Sequence, residues 1–436
     1  MSHKQFNTLH QKWHQVLSEM VVEAEQIAQS SQREGKMSVE QFVQTLVLGC
    51  LDPEEVSLRL WSEIADELGC EITASSIDER LTKRAVMLLY NVLQLSIQHQ
   101  VDVPALPVEQ LGQLSHLILY DSTLLRLPPI FNHIFQGSED DFGQMKLQVG
   151  YDYLTGQLHW LDVQQGVDGD RSDAGLLAQV VKGVLLIFDL GYFNQLTLAK
   201  INAQEAFYVT RYQTQTSLYN PQTGEIIDLV AQLQQTDGNW FEIICQLGAK
   251  QKTPIRLIAR RVSQSEADKR RRKVKDQARR SGYTASQRSL TLCDWEIIIT
   301  NLSLEWTAQQ ILDLYRVRWQ IELLFKAWKS YLDLATFGDW RTERVLCQLY
   351  ATLIGAVLCQ TTFASVRYTT SEASLFKAFR IIRRHIPHLL RVIRRNWWGI
   401  GAWTNKLRQM LLNFGQQQNL EATPSSLRRL INWGLT

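Results

Sequence analysis

The sequence has no C-x-x-C pair and no cluster of cysteine with histidine. Its six cysteines, Cys50, Cys70, Cys245, Cys293, Cys347 and Cys359, stand far apart. That excludes a disulfide framework and a zinc ribbon, and it fits a reducing, cytoplasmic compartment. The opening stretch MSHKQFNTLHQKWHQ carries no apolar run, so no secretory signal is expected. No P-loop is present and no G-x-G-x-x-G follows a strand; Gly399-x-Gly401 is only a partial match, which disfavours nucleotide-binding enzymes. Internal repeats and long low-complexity stretches are also missing. Charged residues form 21% and hydrophobic residues 45% of the 436, which excludes global disorder. Such a length predicts roughly two to four packed units.

One segment imitates a membrane span. The 22 residues between Arg344 and Arg367 carry no charge. They include Gln348, Thr352, Gln360, Thr361, Thr362 and Ser365, however, and their large apolar residues fall at helical spacing. A buried core helix in a soluble protein is the expectation, with no membrane partner.

The formal net charge of +2 conceals a gradient. Residues 1–119 hold 8 basic and 16 acidic residues, whereas 251–290 hold 13 basic and 3 acidic ones. The basic segment centres on Lys269, Arg270, Arg271, Arg272 and Lys273. Residues 366–410 add 10 basic residues against one acid, with arginine and tryptophan interleaved in Arg394-Arg395-Asn396-Trp397-Trp398. One basic run is commonly a solvated helix face. Two in a nearly neutral chain point to a polyanion, and nucleic acid leads.

Residues 1–110 read as helical. Apolar spacing runs from Val39 to Gly69, and after a break at 68–73 a second helix is expected near Ser75, with Ser76-x-x-Glu79 as its capping box. Ser75, Ser76, Arg80, Lys83 and Arg84 would then lie early on the second helix of a helix-turn-helix outline, although this region's acidic balance argues against it as the main phosphate clamp. Strands are expected at His116–Tyr120, Met145–Tyr151, Gln157–Val163, Val184–Phe188 and Ala206–Arg211. Thr155-Gly156 forms a hairpin turn and a helix lies around 172–182. The uninterrupted apolar run Val184–Phe188 suits a strand buried on both faces. The pattern gives a mixed α/β sheet with flanking helices. Residues 213–303 read as a β-rich insertion, with strands at Trp240–Cys245, Ile255–Val262 and Leu290–Thr300 around an exposed basic helix at 264–281.

Asp121 and Asp189 each follow an apolar strand. Adjacent parallel strands would bring two such carboxylates within reach of one divalent ion, and oxygen-only ligation suits Mg²⁺ or Mn²⁺. A third carboxylate is needed for a second ion. On one continuous helix over 307–332, capped by Thr307-x-x-Gln310, residues Tyr315, Arg318, Trp319, Glu322, Lys326 and Lys329 share a sector of about 100°. Val317, Ile321, Leu324 and Trp328 take the opposite face. An ordinary solvated face could hold the charges, but seldom Tyr and Trp at its centre. A carboxylate among cations and rings suits a metal site beside a phosphodiester.

The spacing Tyr315-x2-Arg318-x3-Glu322-x6-Lys329 resembles the YREK signature of bacterial insertion-sequence DDE transposases, the cut-and-paste, hairpin-forming type. Asp121 in Tyr-Asp-Ser-Thr and Asp189 in Phe-Asp-Leu-Gly-Tyr are similar to the motifs around that family's first two catalytic acids. The resemblance covers about residues 110–400, and the N-terminal part follows the family plan only in outline. It implies a ribonuclease-H-like core (111–212 and 304–370), a β-rich insertion before the catalytic Glu (213–303), and helical N- and C-terminal domains (1–110, 371–436). It also implies Asp121, Asp189 and Glu322 as ligands of two Mg²⁺ ions, for which Mn²⁺ can substitute. Tyr315, Arg318 and Lys329 would meet phosphates. Trp319 and Trp295 would hold a flipped base, with Trp240 competing for the second role. Arg211 resembles a further DNA contact of the family, whereas Lys326 and the run Lys269–Lys273 are expected to add DNA contacts by their charge. The implied partners are double-stranded DNA, as terminal repeats and target, and a second copy of the chain, in a nucleoid-associated bacterial protein. A ribonuclease-H-like nuclease without strand transfer, and an inactive transposase-derived repressor, are the alternatives.

Overall fold

The structure, a computed structural model, describes residues 8–27, 35–103, 106, 108–137, 142–168, 174–334, 336–337, 341–367, 373–395, 397–415, 429–430 and 433. Along the chain come α1 Leu9–Leu17, α2 Glu19–Ile27, α3 Val39–Leu51, α4 Leu58–Glu67, α5 Ala74–Arg80 and α6 Lys83–Gln98. Then follow β1 His116–Leu127, β2 Gly143–Asp152, β3 Gln157–Gln165, α7 Ala174–Ala178, β4 Val184–Phe188, α8 Gln195–Ala203 and β5 Phe207–Arg211. The next stretch holds β6 Leu218–Tyr219, β7 Ile226–Ile227, α9 Leu229–Gln234, β8 Trp240–Leu247, β9 Thr253–Arg261, α10 Gln264–Arg280, α11 Gln287–Leu292 and β10 Trp295–Thr300. Helices close the chain: α12 Ala308–Val317, α13 Trp319–Tyr331, α14 Thr342–Arg367, α15 Leu375–Arg384, α16 Ile386–Arg395 and α17 Ile400–Phe414.

Two compact units emerge: residues 1–111, 121–168 and 319–436 form one, and 112–120 with 169–318 form the other. The N-terminal helices thus share a unit with the C-terminal helices instead of standing apart as residues 1–110, because α14 is their common core. This helix is long and apolar enough to span a bilayer (26 residues, mean hydropathy 1.5), yet 89% of its apolar window is buried within the protein. Its small residues permit close packing; a Cβ on Gly355 would lie 2.8 Å from a Leu51 methyl on α3. Trp13 of α1 donates to Thr362 Oγ1 at 3.0 Å and meets Trp403 of α17 edge-on at 4.9 Å. The β2–β3 hairpin turns at Gly156, whose positive φ of 73° suits glycine. It is held to α14 by buried Arg367, which donates to Tyr151 Oη and the Tyr153 carbonyl, each at 3.0 Å.

Lys12 is also buried in this unit. It donates to the Ser96 and His99 carbonyls, and burial lowers its pKa from 10.5 to about 7. Below about pH 7 the folded protein carries the full cost of a buried ammonium. Between that value and 10.5 the unfolded chain holds a proton that the folded chain has shed, so stability from this group rises with pH. Lys12→Met is therefore expected to stabilise by about 1–3 kcal/mol near pH 6 and by much less near pH 10, read from urea melts at both values.

In the second unit the first half of β1 pairs in parallel with β4, from His116↔Val184 to Tyr120↔Phe188, and β4 pairs in parallel with β5. All five β4 residues are buried, as the unbroken apolar run requires. Antiparallel β10, β9, β8, β6 and β7 continue from β5 in that order. The insertion is therefore an extension of the core sheet. In the first unit β2 and β3 add antiparallel strands in the order β3-β2-β1. Parallel and antiparallel strands with flanking helices make the ribonuclease-H-like mixed α/β fold expected.

Several boundaries differ from the sequence reading. The apolar stretch from Val39 to Gly69 is two helices, because Asp52 precedes Pro53 and turns extended. The cap before α5 is Thr73, whose hydroxyl accepts from Ser76 N, so Ser76 lies inside the first turn and the expected capping box does not form. Lys83 and Arg84 open α6, so the second helix of the outline, α5, has only seven residues. Residues 290–294 finish α11 and a turn before β10 begins. Of the helix expected around 172–182, Ala174–Ala178 is helical, and 172–173 lie outside the described residues.

Candidate active site

The parallel register of β1 and β4 ends at Tyr120↔Phe188, and the next residue in the chain after each is an aspartate, Asp121 and Asp189. Asp121 does not terminate its strand as expected: β1 runs on to Leu127. Its carboxylate accepts the N–H of Ser122 at 2.8 Å. Asp189 does follow the end of β4, and it caps a short 3-10 turn at Leu190–Tyr192.

The surroundings of Asp189 come from one unit. Tyr315, near the end of α12, donates its hydroxyl to Asp189 Oδ1 at 3.0 Å. The Arg211 and Arg318 guanidiniums lie 5.8 and 6.0 Å from the Tyr315 ring centre. Burial opposes ionisation of Asp189. The Leu190 N–H, Arg318, Arg211 and the Tyr315 hydroxyl outweigh it and hold the carboxyl below its usual range. Tyr315 moves the opposite way: burial foremost, with the Asp189 charge adding, pushes its phenol well up, so it stays a protonated donor.

The expected continuous helix is broken. The Thr307–Gln310 capping box opens α12, and Arg318 caps its end while its N–H bonds the Tyr315 carbonyl at 3.1 Å, a tightened last turn. Trp319 begins α13. The apolar face holds as predicted, with Val317, Ile321, Leu324 and Trp328 buried. Tyr315 departs from the solvated stripe, being buried against Asp189. In the other unit, Lys329 donates to the Leu124 carbonyl of β1 at 2.9 Å, and burial lowers its pKa. Glu322 is half-buried in the first turn of α13, and Lys326 is exposed. Among the described residues no group of three His, Cys, Asp or Glu side chains forms a candidate metal cluster.

The proposed DNA contacts divide. Of the basic run on α10, Lys269, Arg272 and Lys273 are exposed. Arg270 is instead engaged with Glu266 at 2.5 Å and the Trp295 carbonyl at 3.0 Å. Arg271 holds Asp268 at 2.8 Å and also pairs with Asp294. These two fasten the helix to the sheet. Trp295 is 4% exposed, with Arg261 stacked 4.5 Å over its ring, so no face is open to a base. Trp319 is 55% exposed and Trp240 38%. Trp240 pairs with Arg260, which pairs with Glu296, whereas Arg211 pairs with Ile298. Because Glu296 and Ile298 are two residues apart on β10, Trp240 and Arg211 share a sheet face and Trp295 has the other. Strand parity was the signal by which the sequence could have separated the two tryptophans. The arginines closing α16, Arg394 and Arg395, and Trp398 are exposed, and Asn396 lies outside the described residues.

The chain belongs to the transposase DDE domain family, as a bacterial insertion-sequence transposase: the family's sequence profile matches residues 113–358, which include Asp121, Asp189, Tyr315, Arg318, Glu322 and Lys329. It is 26% identical over 357 residues to the transposase of insertion sequence element IS231F from Bacillus thuringiensis subsp. israelensis, covering 76% of this chain and 75% of that one. It is 27% identical over 346 residues to that of IS1151 from Clostridium perfringens, 72% of each chain. Among solved structures, the piggyBac transposase synaptic complex with hairpin DNA is similar at a TM-score of 0.48 and 9% identity, over 97% of this chain and 88% of that one.

Proposed function

We propose that the chain excises an insertion sequence from double-stranded DNA and joins it to a new site, using Asp121, Asp189 and Glu322 as its acids. The observation that carries this reading is the parallel register that ends on both strands just before Asp121 and Asp189. The Lys329–Leu124 contact supports the third acid: the steps Glu322 to Lys329 along a helix and Asp121 to Leu124 along a strand are each about 10 Å. An all-carboxylate donor set, with Asp189 held ionised, fits hard divalent cations. Two Mg²⁺ ions, or Mn²⁺ in their place, would activate the attacking hydroxyl and stabilise the leaving 3′ oxygen when bound.

The chain's own side chains do the rest. Arg211, Arg318 and Lys329 hold phosphates, and Lys326 adds to the attraction. Trp319 stacks an unpaired base and offsets the few kcal/mol of unstacking; within its own unit, Trp240 is an exposed ring on the sheet face of Arg211. Water first frees a 3′-OH; that hydroxyl then attacks the opposite strand to close a hairpin, and after opening attacks target DNA. Two transposon ends imply a dimer on DNA. A strand-transfer assay tests the reading. Joined products support it, whereas cleavage without joining under every condition would assign a nuclease and binding without cleavage a repressor.

Neutralising Lys269, Arg272 and Lys273 together is expected to flatten the salt dependence of DNA binding by roughly 0.9 log units for each phosphate they no longer neutralise. Arg270→Gln or Arg271→Gln should lower the melting temperature and leave the slope nearly unchanged. An unaltered slope in the triple variant would assign the exposed run to solubility.

A further inference from the structure

We propose that Tyr315, Arg211 and Arg318 keep the Asp189 carboxylate closed to divalent cations until a phosphodiester arrives, so that metal binding follows DNA binding. This rests on reading Asp189 as a metal ligand. A cation of Mg²⁺ size must approach a carboxylate oxygen to about 2.1 Å. In the DNA-free protein the Tyr315 hydroxyl occupies Oδ1 at 3.0 Å. An entering ion would have to displace that proton donor. It would also meet the Arg211 and Arg318 guanidiniums, whose charges act on Asp189 and repel a cation in a half-buried setting where solvent screens poorly.

A phosphodiester reverses each obstacle. It is an anion, it accepts forked hydrogen bonds from arginine, and it offers oxygens to which a phenol can turn. DNA therefore draws off the positive charge and leaves the carboxylate's lone pairs for the cation. The coupling is reciprocal: the factor by which DNA tightens metal binding is the factor by which metal tightens DNA binding. Tyr315 and Arg211 are in this sense positioning residues, acting on the reaction through the state of Asp189.

The test is a titration of the full-length, DNA-free protein with Mn²⁺ alone, followed by the electron paramagnetic resonance signal of free Mn²⁺. Tyr315→Phe, which keeps the ring, and Arg211→Gln, at an exposed position, are each expected to tighten binding by about tenfold. Asp189→Asn added to either variant should abolish the gain. A short duplex DNA should tighten Mn²⁺ binding to the unaltered protein and add little in Arg211→Gln. Equal affinities in the unaltered protein and both variants, still removed by Asp189→Asn, would overturn the closed state while leaving Asp189 a ligand. Mn²⁺ binding indifferent to Asp189 in every background would remove the ligand assignment itself. Thermal melting of each variant separates either result from misfolding.

Discussion

Alanine at Asp121, Asp189 or Glu322 is expected to lower the rate of DNA-end cleavage by at least about a thousandfold, with end binding kept within a few-fold. Asp189 sits among two guanidiniums and a phenol, and its loss removes a negative charge that competes with phosphate for them. Asp189→Ala should therefore bind DNA as tightly as the unaltered protein or more so. The Tyr315 phenol, which bonds Asp189 directly, is released together with the guanidiniums by that substitution. Cleavage under single-turnover conditions and a gel-shift titration provide the two measurements. Appreciable Mg²⁺-dependent cleavage by the triple variant would refute the assignment.

The second large effect concerns stability. Trp295→Ala is expected to cost about 3–5 kcal/mol, because it empties a packed site and leaves Arg261 without the ring beneath it. Trp319→Ala should stay within about 0.5 kcal/mol of the parent in urea melts. It should instead weaken a DNA end carrying an unpaired terminal base by about 1–3 kcal/mol, the worth of one stacked base. If Trp295→Ala melted like the parent and failed only in hairpin formation, the buried ring would have to come out on binding DNA, and the base-holding role would return to Trp295.

Much of the core is legible in residue order. Val184–Phe188 proclaims a strand buried on both faces, Thr155-Gly156 a hairpin, and Thr307-x-x-Gln310 a helix start, because each depends on local chemistry alone. Asp189 at a strand end is legible for the same reason. Asp121 reads as a strand end because Asp-Ser-Thr resembles a turn. The strand runs on because sheet pairing outweighs that local preference. The break at Arg318 is invisible to a projection that assumes uniform helix. So is the burial of Tyr315, since its partner, Asp189, is 126 residues away. The division of Lys269–Lys273 into anchors and exposed cations likewise needs Asp294 and the Trp295 carbonyl, supplied by a neighbouring turn and strand.

The junction of β5 with β10 has a consequence for how such proteins can change over evolution. Since β10 hydrogen-bonds along Val209–Arg211, excising the insertion would strip a ladder of amides and carbonyls and leave a sticky margin ready to recruit other chains. The segment can be remodelled at its tips, where α10 and α11 lie, but it cannot be dropped without another strand to take its seat. Descendants of this chain should therefore vary the decoration and keep the seam.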